Sequence, residues 1–120
     1  MKYLFLLYRD PDVLPEPGTP EAAATFAAYG EVNDAMREAG VYRDCQPLQP
    51  RSASTVVKVR GGETLITDGP SAEIKEQVGG YAVVECADLD EALRWAARIP
   101  AAKDASVEVR PVVAMASAPV

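Results

Sequence analysis

Histidine is missing from the chain altogether, and with it go the commonest general base and the commonest transition-metal ligand. Cysteine is nearly as scarce. Cys45 and Cys86 stand far apart with no CxxC partner, which excludes a disulfide framework and a thiolate zinc site, so neither a metal nor a cofactor is expected. Cys86, inside an apolar run, reads as a small buried residue; Cys45 reads either the same way or as a half-exposed, reactive thiol. Long apolar runs are lacking too. The stretch 3–8 is too short for a signal segment and meets Arg9, Asp10 and Asp12 at once, and no window nears the roughly 20 apolar residues of a membrane span. An unprocessed cytoplasmic protein with no membrane partner is expected. Positive charge is in deficit: 12 Lys and Arg against 18 Asp and Glu leave a net charge of -6 with no basic cluster, the wrong balance for a phosphate backbone. A nucleic-acid partner is therefore not expected.

What is present is an ordinary globular composition, 48% hydrophobic and 25% charged over 120 residues, enough for one domain and too little for two. We expect that domain over residues 1–113, with 114–120 as a flexible tail. Residues 2–8, apolar at both alternating sets of positions, predict a central strand, and the prolines at 11, 15 and 17 make the next stretch a surface loop. Thr19-Pro20-Glu21 is a helix start, and the helix it predicts to about Ala39 carries Ala22, Phe26, Tyr29, Val32 and Met36 as its buried stripe, with Gly40 as the stop. Gly30 in its middle costs about 1 kcal/mol relative to alanine, tolerable if a close backbone approach needs it. Strands are predicted over 41–48, 55–60 and 63–67, the last two joined by Gly61-Gly62 as a hairpin.

The stretch 67–80 is the one segment that reads as a site. Pro70 pushes Gly69 out of the helical region, so Asp68-Gly69-Pro70 bends tightly and presents the Asp68 carboxylate at a strand end. A helical turn over 71–78, stopped by Gly79-Gly80, is expected next, and then a strand over 81–86. Asp88 and Glu91 form a capping box for a second helix to about Arg98, with Leu89, Ala92, Leu93 and Ala96 facing inward and Trp95 at the stripe edge. Residues 106–113 make the last strand.

This order is α+β: a ferredoxin-like βαββαβ arrangement with an inserted β-hairpin. Right-handed crossovers put both helices on one side of the sheet. The opposite face then holds Tyr81, Val83 and Glu85 or their neighbours, with Glu108, Arg110 and Val112, and is wholly apolar on the first strand, so a homodimer formed sheet to sheet is expected.

Thr67-Asp68-Gly69-Pro70, followed by Glu73, Lys75-Glu76 and Gly79-Gly80-Tyr81, resembles the DGPF signature of YCII-related bacterial proteins. The likeness extends to Met1-Lys2-Tyr3, residues 55–60, Asp90-Glu91-Ala92, Trp95-Ala96 and residues 107–111. It implies a dimeric α+β barrel, in which two ferredoxin-like sheets pack face to face. For function it implies either acid/base chemistry on a small aromatic acid or lactone, or a noncatalytic regulatory or partner-binding module associated with an extracytoplasmic-function sigma factor. Two positions depart from the family: Ser71 stands where the signature has phenylalanine, and the His-Asp pair of other branches cannot exist here.

Asp68, with Glu73, Lys75 and Glu76, is either a proton-trading constellation or a turn cap among solvated helix charges. Tyr8, Tyr81, Glu85, Glu108 and Arg110 either line a ligand cavity between the sheets, Arg110 holding a carboxylate, or pair internally through Arg110 and a neighbouring glutamate.

Overall fold

Alternation along the first strand decides where the core forms. In β1 (Lys2–Arg9), Tyr3, Phe5 and Leu7 are buried, while Leu4, Leu6 and Tyr8 between them are half-buried on the other face. The computed structural model describes residues 1–10, 15–69 and 77–115. β1 lies inside a four-stranded sheet with β2 (Tyr42–Pro47), β5 (Gln77–Glu85) and β6 (Val107–Pro111), in the order β2-β5-β1-β6. Every neighbouring pair is antiparallel. This α+β arrangement is compatible with a ferredoxin-like fold: α1 (Pro20–Glu38) leads from β1 to the edge strand β2, and α2 (Leu89–Ala97) with the short α3 (Ala101–Asp104) leads from β5 to β6.

Both long helices cover the face carrying Tyr3, Phe5 and Leu7. Met36 from α1 and Ala92 and Ala96 from α2 join Phe5, Val84 and Ile99 in one buried cluster, where each large apolar side chain contributes about 1.5–3 kcal/mol by leaving water. The helix starts are as expected. The Thr19 hydroxyl accepts a hydrogen bond from the Ala22 amide at 3.2 Å, and the Asp88 carboxylate accepts one from the Glu91 amide at 2.9 Å. Glu91 reaches back one residue further than the usual capping box, accepting from the Ala87 amide at 2.8 Å.

The inner stripes are narrower than the sequence predicts. Phe26 is 83% exposed, because at about 100° per residue it lies roughly a third of a turn round from Val32, on the flank of α1. Leu89 and Leu93 are each 46% exposed; the alanines at 92 and 96 take the centre of α2, where small side chains let the helix approach the sheet. Among the described residues no atom stands within 4 Å of a Cβ built on Gly30, so no close backbone approach there calls for the glycine. Gln77 and Val78 belong to β5 together with Gly79-Gly80, so the expected helical turn does not run to 78; its residues 71–76 lie outside the described residues, as do 116–120 of the tail.

The inserted hairpin is present as a separate two-stranded sheet, β3 (Thr55–Arg60) with β4 (Glu63–Asp68). Its turn residues Gly61 and Gly62 have φ of 58° and 81°, the left-handed pair that a two-residue hairpin turn demands.

Candidate ligand-binding site

A cavity of about 320 Å³ lies between the N-terminal half of α1 and the end of the sheet where β1 finishes and β5 begins. Three glycines stand where these elements meet, and of these Gly30 leaves open space while Gly79 and Gly80 admit Arg9 and the Gln46 carbonyl. Gly30 from α1 and Gly79 and Gly80 from β5 all line it. Val32 and Met36 hold the C-terminal half of α1 to the core, while Phe26, Tyr29 and Asn33, three or four residues apart, present one face of the helix to the gap.

A break in strand register shapes the floor. Leu7 pairs with Gly80 and Tyr8 with Val78, leaving Gly79 as an extra bulged residue. A Cβ on Gly79 would sit 2.5 Å from Cδ, 2.7 Å from Nε and 2.9 Å from Cγ of Arg9, so only glycine leaves room for the arginine stem. A Cβ on Gly80 would lie 3.0 Å from the Gln46 carbonyl oxygen of β2.

Leu7, Pro15, Pro47 and Ala101 make much of the wall apolar, and Arg9, Tyr29, Asn33, Cys45 and Asp104 bring polar groups to it. Burial pushes the Tyr29 phenol up; the Asp104 carboxylate adds to this, while the Ala101 backbone and the Arg9 guanidinium act in the other direction. Burial likewise raises the Cys45 thiol, against the hydrogen bond of Asn33. Both groups are thus neutral near pH 7, which opposes the reading of Cys45 as a reactive thiolate.

Of the residues expected from the sequence to bind ligand, Tyr8 lines this cavity. Asp68 ends β4 opposite Thr55, is exposed, and is not among the lining residues. The strand register puts Tyr81, Glu85, Glu108 and Arg110 on the sheet face that the helices leave open, together with Leu4 and Leu6. There they make internal pairs. The Tyr81 hydroxyl donates to Asp44 Oδ2 at 2.9 Å, Arg110 pairs with Glu108, and Glu85 Oε1 lies 3.7 Å from the chain's terminal ammonium. Glu73 and Lys75 lie outside the described residues. Arg9, Asn33 and Asp104 escaped the sequence reading; a Gly-Gly pair preceding a strand was the available signal that a neighbouring side chain needs space.

An antiparallel sheet with helices over one face and a cavity between helix and sheet defines a small α+β domain. The chain belongs to the YCII-related family, whose domain model matches residues 1–116. It is also 35% identical over 114 residues to an uncharacterized protein of Rhizobium meliloti (strain 1021), covering 93% of this chain and 92% of that protein.

Proposed function

We propose that the protein is a binding module of the DGPF-bearing YCII branch that takes a small organic ligand in the cavity beneath α1. The cavity itself carries this reading: it has the volume of a small-molecule site, a largely apolar wall and a few convergent polar groups. Binding rather than turnover is favoured by the neutral state of Tyr29 and Cys45, which leaves neither poised as a base or nucleophile near pH 7. Gly30→Leu provides the test. No atom stands within 4 Å of the new Cβ, Gly30 lines the cavity, and the leucine is expected to take up part of its space, while replacing a mid-helix glycine recovers up to about 1 kcal/mol of helix stability. In a fragment screen by protein NMR, binders should shift the amides of Tyr29, Asn33 and Gly79 in the native chain and lose affinity for the Gly30→Leu protein. Fragments that bind both proteins equally, or none that reaches these amides, would overturn the reading.

The module works as a homodimer in this proposal, each copy covering the open sheet face of the other in a barrel. Half-buried Leu4, Leu6, Tyr81 and Val83 on that face support it. So does the hairpin, on which Val57 is 60% and Ile66 68% exposed as cross-strand partners.

A further inference from the structure

We infer that the cavity beneath α1 selects a small organic monoanion, a carboxylic acid with an apolar body, and that Arg9 receives the carboxylate. The inference rests on the cavity being a binding site. Arg9 lines it, and among the described residues its guanidinium makes no hydrogen bond or ion pair. Arg94 shares that lack of a partner, but Arg94 stands on α2 and is not a lining residue, whereas Arg9 faces the cavity in a chain with 18 acids against 12 bases. Other arginines are engaged: Arg37 pairs with Asp34 and stacks on Tyr42, Arg43 donates to the Gly40 and Tyr42 carbonyls, Arg98 stacks on Trp95, and Arg110 pairs with Glu108.

The backbone makes room for this side chain. The bulge at Gly79 and the absent Cβ there let the Arg9 stem lie across β5, which holds the guanidinium at the cavity instead of leaving it free to swing into solvent. A planar fork of donors in a largely apolar wall is the group that a carboxylate satisfies best, since it accepts two parallel charge-assisted hydrogen bonds. Asp104 also lines the cavity, outside ion-pair distance of Arg9. Arg9 and Asp104 act on the Tyr29 hydroxyl in opposite senses, so a charge of each sign reaches the same part of the lining. A second anionic group would meet Asp104, which restricts the ligand to one carboxylate and points it towards Arg9. Leu7, Phe26 and Pro47 are left for the apolar body.

The experiment titrates isotope-labelled protein with benzoic, phenylacetic and phenylpropionic acids and with the primary amide of each, at neutral pH. Each acid should bind at least about tenfold more tightly than its amide, shifting the amides of Arg9, Tyr29 and Gly79. Arg9→Gln should collapse that preference. Gly79→Ala should reduce it while Arg9 remains, because the added methyl occupies the place of the arginine stem; the loss then reports position as well as charge. Amides binding as tightly as acids, or an acid preference that survives Arg9→Gln, would overturn the ligand class and leave the cavity reading standing. If neither acids nor amides shift cavity resonances, both readings fall.

Discussion

The hydrogen bond from Tyr81 to Asp44 ties the middle strand β5 to the edge strand β2 across the open face. It holds the Asp44 carboxyl below its ordinary value of 3.8, with the Gln46 side chain and the Cys45 amide adding to the effect. Folding therefore favours the carboxylate: the pair's contribution is complete above the ordinary carboxyl range and is lost as pH falls through the lowered folded value. The same bond raises the Tyr81 phenol above 10.0, so its contribution is present below that pH and lost as pH rises through the raised value. Tyr81→Phe removes the donor, and the Asp44 midpoint should climb back towards its ordinary value in a carboxyl-carbon NMR titration. A midpoint that stays put would mean that the bond is not formed in solution. None of this was legible in the sequence, where Tyr81 reads as a ligand residue. A bond across 37 positions depends on strand pairing, which periodicity does not report.

At the scale of elements, the two glycines of β5 do different work. The three atoms nearest to an alanine Cβ at 79 all belong to the Arg9 side chain, which the new methyl would displace from its place across β5, whereas one at 80 meets the Gln46 carbonyl at 3.0 Å, a backbone atom held in the β2 ladder. Gly80→Ala should therefore destabilise the fold by about 1–3 kcal/mol, the usual cost of overpacking, and Gly79→Ala by clearly less. Urea unfolding of the two variants compares them directly; equal losses would contradict the register. The helix ends follow local chemistry instead. Thr19→Ala should cost about 1 kcal/mol by stripping the cap from the Ala22 amide, read from the shift in denaturation midpoint. These caps were readable from three or four adjacent residues, since a cap satisfies amides in its own first turn. Phe26, Leu89 and Leu93 were not placed correctly, because helical spacing gives a stripe its direction but not its width; the width was set by how closely each helix meets the sheet.

At the scale of the whole molecule, α1 and α2 cover one sheet face, and among the described residues no helix covers the other. The proposed homodimer predicts a solution mass of about twice the 12.8 kDa chain by light scattering at micromolar concentration. Leu6→Glu, placed at the centre of the open face, should shift that mass towards one chain while the far-ultraviolet circular dichroism is kept. A single-chain mass for the unmodified protein would falsify sheet-to-sheet assembly. By itself the sequence determined whatever depends on neighbours along the chain: the alternation that divides β1 into a covered and an open face, the caps of α1 and α2, the Gly61-Gly62 turn, and a strand and helix order compatible with the ferredoxin-like arrangement. Tertiary structure alone decided the cavity. Its walls come from positions 9, 30, 79 and 104, with open space at Gly30 and a one-residue slip between β1 and β5 that admits Arg9. A residue pattern records what each position adds to its own element; an empty space belongs to several elements at once and appears only when they are packed together.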